Sequence, residues 1–120
     1  MKKPAVLIID DDPSHLRIYG WVMQSAGFEP LSALVTFDAL DLPDAEIDLV
    51  LLDYHLNRKM TAVDVAQRLR NQYPSAPILV LSDALMLPDD VAPFVDGFIR
   101  KGDPARLVET VSHVLMNTRQ

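Results

Sequence analysis

The feature that most constrains this chain is an uninterrupted apolar run, Leu49-Val50-Leu51-Leu52, that ends in the single carboxylate of Asp53. A run this short, with no polar alternation, fits a strand buried on both faces, as in parallel sheets covered by helices. The pattern recurs. Ala5 to Ile9 ends in Asp10, Asp11 and Asp12, Ile78 to Leu81 ends in Ser82 and Asp83, and Gly97 to Arg100 ends in Lys101 and Gly102. Ligands of open parallel sheets bind outside the carboxyl ends of the strands, so these polar endings stand where such a fold does its chemistry.

Helix signals lie between the runs. Asp12-Pro13 is a cap followed by a residue suited to the first helical position; Leu16, Tyr19, Met23 and Ala26 then share a face, and Gly27 stops the helix. Thr61 and Asp64 have capping-box spacing ahead of Val63, Ala66 and Leu69, and that helix ends near Tyr73-Pro74. Asp103-Pro104 opens a last helix with Leu107, Val111, Val114 and Leu115 on its apolar stripe. Two segments carry weaker signals. Phe28 to Leu34 contains Pro30 and predicts an edge strand, followed by a short helix over 36–42. Prolines 88 and 93 leave room for about two helical turns between Leu85 and Val95, with Asp89 and Asp90 as surface acids at the start. The resulting order is (βα)5. It predicts a doubly wound, flavodoxin-like α/β fold with a five-stranded parallel sheet, in a single domain over residues 1–120. Trp21 and the five methionines read as packing, and His15, His55 and His113 as surface residues without chelating spacing.

Composition narrows the function. With 11 basic and 17 acidic residues the net charge is −6, which disfavours direct binding to nucleic acid or to anionic lipid. Basic residues are scattered, the densest pairs being Lys2-Lys3 and Arg58-Lys59. The absence of cysteine rules out disulfides and thiolate metal sites. The first apolar stretch is too short for a signal peptide or a membrane span, so a cytoplasmic protein is expected.

If the strand ends converge, several carboxylates crowd one place. Two unit charges ~4 Å apart at an effective dielectric of ~20 repel by roughly 4 kcal/mol, so the cluster must bind a cation or take up protons. Oxygen ligands without histidine or cysteine favour Mg²⁺ or Mn²⁺, which readily share their shell with phosphate. Lys101 adds a point charge and Ser82 a hydroxyl, making a site suited to phosphoryl oxygens. Asp53, alone at its strand end, is then the candidate nucleophile, and its product an aspartyl phosphate.

At these residues the chain resembles the receiver domain of two-component response regulators, from about Val6 to Leu115. The resemblance rests on Asp10-Asp11, Asp53, Ser82 and Lys101, in that order and each after an apolar run. It implies that Asp53 takes a phosphoryl group from a histidine kinase or histidine phosphotransfer protein. Asp11 and Asp53 would ligate Mg²⁺ directly, Asp10 through water and His55 through its backbone carbonyl, while Ser82 and Lys101 contact phosphoryl oxygens. Movement of Ser82 and an inward turn of Phe98 would then change the surface of the fourth helix, fifth strand and fifth helix, which a downstream protein reads. The implied role is a signalling phosphoacceptor rather than an enzyme, with at most self-catalysed transfer and autodephosphorylation, and it leaves room for homodimers.

The chain departs from the family pattern at several positions. Asp83 follows the hydroxyl residue where a small residue is usual, and is expected to slow small anionic phosphodonors. Gly102 replaces a proline after the lysine, Asn57 replaces a proline in the loop after Asp53, and Ala62 stands where glycine is common. Two other functions share these residue types. A phosphohydrolase of the haloacid dehalogenase type would use Asp10 as nucleophile, in Asp10-x-Asp12; a pseudo-receiver would keep the fold and signal without phosphate.

Overall fold

Strands form at the expected places: β1 (Ala5–Asp10), β3 (Leu49–Asp53) and β4 (Ile78–Ser82) are buried throughout, while β2 (Glu29–Leu34) and β5 (Gly97–Arg100) are partly exposed. The computed structural model describes residues 2–57 and 59–118; Arg58, and Met1 among the five methionines, lie outside them. All pairings are parallel, in the order β2-β1-β3-β4-β5. This is a doubly wound sheet whose strand order reverses between β1 and β3, the position where such folds open a crevice. β2 is an edge strand, which is why Pro30 is tolerated in it.

Among the described residues three α-helices form: α1 (Pro13–Ser25), α2 (Ala62–Gln72) and α3 (Pro104–Thr118). Each starts as its sequence dictates. Asp12 accepts from the Ser14 N–H at 2.8 Å, and Asp103 accepts from the N–H groups of Ala105 and Arg106. Thr61 and Asp64 form a reciprocal capping box. Gly27, with φ of +93°, follows the end of α1.

The other two expected helices do not form. Residues 36–42 run irregularly, and between Leu85 and Val95 there is only a 3₁₀ turn, Ala92–Phe94. Pro43 cuts off the first of these, while Pro88 and Pro93 leave no uninterrupted stretch for the second. Asp89 and Asp90 therefore start no helix; Asp90 instead accepts from the Tyr54 hydroxyl at 2.9 Å.

Strand alternation sorts the core into two layers. Val6, Ile8, Leu49, Leu51, Leu79, Leu81 and Ile99 face α1 and α3. Leu7, Ile9, Val50, Leu52, Ile78 and Val80 face α2 and the irregular segments. Not every apolar residue is absorbed. Met23 is buried, but Trp21, Met86 and Met116 are exposed, contrary to the packing role expected of them, and Ala26 is also exposed. Helical periodicity shows which residues share a face; it does not show whether that face meets a neighbour.

Candidate functional site

The alternation that builds the core also builds the site. Asp10 continues the row of Val6 and Ile8, Asp53 the row of Leu49 and Leu51, and Lys101 the line of Ile99, so all three lie on the α1/α3 side. Ser82 continues the row of Ile78 and Val80 and lies on the α2 side. β1, β3 and β4 are adjacent, with Asp53 opposite Leu81, so these endings share one edge of the sheet.

Carboxylate oxygens of Asp10, Asp11 and Asp53 lie within 4.8 Å of one another. Asp10 and Asp53 are buried and Asp11 is exposed, which leaves the cluster open to solvent on one side. Lys101 places Nζ 2.7 Å from Asp53 Oδ1. The same oxygen accepts a long bond, 3.4 Å, from the His55 N–H. The His55 side chain is exposed.

Electrostatics follow from this crowding. Burial, then the charge of Asp53, push the Asp10 carboxyl from its ordinary 3.8 up to about 6. For Lys101 burial acts downward, its side chain being 15% exposed where it lines a cavity of about 210 Å³ with Tyr19, Leu81, Ile99 and Leu107. The hydrogen bond and charge of Asp53 outweigh that burial and leave the lysine raised. Tyr19 is raised as well, chiefly by its burial.

Ser82 is fully buried, and its hydroxyl oxygen accepts from the Ala84 N–H at 3.1 Å, which leaves the O–H free to donate. Asp83 beside it is exposed. Phe98 is half-buried on β5. Gly102 has φ of +112°, a conformation closed to proline, so the loop after Lys101 has its own geometry. Asn57 braces its loop: its Oδ1 accepts from the N–H groups of Lys59 and Met60, and its Nδ2 donates to the Thr36 carbonyl at 2.9 Å.

One residue was missed from sequence. His15, read as a surface histidine, is half exposed, yet its Nδ1 is 3.3 Å from Asp10 Oδ2 and its Nε2 is 3.5 Å from Asp12 Oδ2. The i,i+3 spacing from Asp12 was the available signal; contact with Asp10 requires the end of β1 to abut the first turn of α1.

Fold and site together define an open parallel α/β protein with an acid and lysine centre at one strand edge. The sequence matches the model of the response regulator receiver domain family over residues 6–112, and the chain belongs to that family. It is 29% identical over 92 residues to the transcriptional regulatory protein GlrR of Escherichia coli, covering 75% of this chain and 20% of that protein. The chain thus spans about a fifth of that relative's length. Its fold is similar to that of the chemotaxis protein CheY4 of Vibrio cholerae, with a TM-score of 0.77 at 24% identity over 93% of this chain and 98% of that one. It is likewise similar to the response regulator TrrA of Thermotoga maritima, solved in complex with Mg²⁺-BeF, with a TM-score of 0.74 at 21% identity over 96% and 99% of the two chains. Among the described residues no helix is long and apolar enough to cross a membrane.

Proposed function

We propose that this chain is a phosphorylation-dependent switch in which Asp53 accepts a phosphoryl group from the phosphohistidine of a histidine kinase or phosphotransfer protein. The observation that carries this reading is Lys101 Nζ at 2.7 Å from Asp53, beside the carboxylates of Asp10 and Asp11. Membership of the receiver family supports it.

The donor set suits Mg²⁺ or Mn²⁺. It is all oxygen, and the buried Asp10 Oδ2 has no hydrogen bond to satisfy it. Asp10, Asp11 and Asp53 would hold the ion, with the His55 carbonyl completing the protein ligands. When bound, the ion neutralises charge that would otherwise keep an anionic carboxylate from an anionic donor.

Lys101 and the His55 N–H both engage Oδ1 of Asp53, so Oδ2 is the attacking oxygen. As its bond to phosphorus forms, the P–N bond of the phosphohistidine breaks, and the electron pair returns to the imidazole nitrogen, which takes up a proton. Lys101 and the free O–H of Ser82 then hold phosphoryl oxygens. Movement of Ser82 and Phe98 passes the change to the face of β5, α3 and residues 83–96, where a downstream protein reads it. The chain acts as a cytoplasmic phosphoacceptor, not as an enzyme on a separate substrate.

Intact-mass measurement after acetyl phosphate and MgCl₂ tests this. The wild type is expected to gain one phosphoryl group and Asp53→Asn none. Label that persists in the variant and maps to Asp10 would favour the phosphohydrolase reading. A wild type that never takes label would favour the phosphate-independent one. In the same assay Asp83→Ala is expected to label roughly fivefold faster, matching about 1 kcal/mol for a water-screened charge near 4 Å; an unchanged rate removes Asp83 from the account.

A further inference from the structure

We propose that His15 supplies a nitrogen ligand on the Asp10 side of the ion site, giving this receiver a preference for imidazole-binding divalent ions of the transition series. The proposal rests on the reading that the acidic cluster holds a divalent cation. It adds a residue that the oxygen-only description leaves out.

Two polar atoms face each other there without satisfaction. Asp10 is 1% exposed, and its Oδ2 makes no hydrogen bond, while its Oδ1 accepts from the Asp12 N–H at 3.0 Å. His15 Nδ1 lies 3.3 Å from Oδ2, close enough to pair with it when the ring is protonated, and is itself buried and without a hydrogen bond although the rest of the ring is half exposed. Buried polar atoms without a hydrogen bond are costly, and here two of them adjoin. A cation between them would satisfy both. Metal–nitrogen and metal–oxygen bonds of about 2.0–2.2 Å place neighbouring ligand atoms roughly 3.0–3.5 Å apart, and the observed separation falls in that range.

The other ring nitrogen supports the assignment. Nε2 faces Asp12 Oδ2 at 3.5 Å. A metal-bound histidine usually turns its second nitrogen toward a carboxylate, which fixes the tautomer and the ring plane. Asp12 is itself fixed, because its Oδ1 caps α1. The group within 4.8 Å consists of the three aspartates alone, so His15 adjoins it through Asp10. An ion drawn toward Asp10 Oδ2 therefore gains a nitrogen ligand that Mg²⁺ uses poorly and Ni²⁺ or Co²⁺ use well.

The test is calorimetric titration of the metal-free full chain with NiCl₂ and with MgCl₂, for wild type and His15→Ala. All carboxylate sites favour Ni²⁺ to some degree, so the change between variants is the readout. His15→Ala is expected to weaken Ni²⁺ by about tenfold or more while Mg²⁺ stays within about twofold. The visible absorption of bound Co²⁺ is expected to differ between the two proteins. If His15→Ala fails to fold, His15→Phe keeps the ring volume and carries the same expectation. Unchanged Ni²⁺ affinity, or equal weakening of both ions because the ring merely props Asp10, overturns the proposal. If that happens while Asp53 still takes label from acetyl phosphate with Mg²⁺, the proposed function stands without it. A wild type that binds neither ion defeats both the ion-site reading and this one.

Discussion

The two faces of the sheet are covered by different means. On one, α1 and α3 lie over the β1, β3, β4 and β5 side chains and satisfy their own backbone groups. On the other, α2 is the only α-helix among the described residues, and the irregular segments beside it are tied down by side chains. Arg68 donates to the Leu40 carbonyl, the Tyr73 hydroxyl to that of Pro43, and Asn57 to that of Thr36. Arg70 reaches the carbonyls of Phe94 and Ala76 and the carboxylate of Asp96, which also accepts from the Ile78 N–H. Where helices are missing, long polar side chains do for loop carbonyls what a helix does internally. The site straddles this division: Asp10, Asp53 and Lys101 stand on the two-helix side, and Ser82 on the strapped side. Ser82 therefore adjoins segments held by a few replaceable bonds.

Three substitutions probe that contrast. The largest loss is expected from Leu69→Ala, which empties a fully buried position on the lone helix of the strapped face. It should cost about 2–5 kcal/mol in chemical denaturation, with faster amide exchange over residues 92–96, because α2 anchors them. Exchange that stays unchanged there would detach the segment from the helix.

An effect of opposite sign is expected on the other face. The raised Asp10 carboxyl favours its protonated form, so its contribution to stability is fully present below about pH 3.8 and is lost as pH rises through about 6. In EDTA at pH 7, Asp10→Asn should stabilise the protein by about 3 kcal/mol, and the gain should vanish near pH 3. A divalent ion should reverse the benefit by binding only the wild type well. A variant no more stable than the wild type at any pH from 4 to 8 in EDTA would show that this face carries no such charge penalty.

The smallest effect concerns the straps. Arg70→Ala is expected to cost about 1–3 kcal/mol, mostly through carbonyls left without a donor, since its partly exposed pairing with Asp96 is screened. Arg70→Lys should recover less than half, because one ammonium cannot serve three acceptors in a fork. A neutral Arg70→Ala would mean the segments hold themselves.

Much of this molecule was legible from near neighbours in the chain. Apolar runs, the residues that end them, the caps at Asp12, Thr61 and Asp103, and the demotion of Pro30 to an edge strand all depend on hydrogen bonding and sterics within a few residues. The same periodicity put the four polar endings on one edge. Other features needed distant parts of the chain to meet. Whether 36–42 and 85–95 formed helices was a contest between weak local propensity and bonds offered by α2, and the bonds and the prolines won. The outward turn of Trp21 and the meeting of His15 with Asp10 were also decided there, because local pattern fixes which way a side chain points while only the packed fold fixes what it finds.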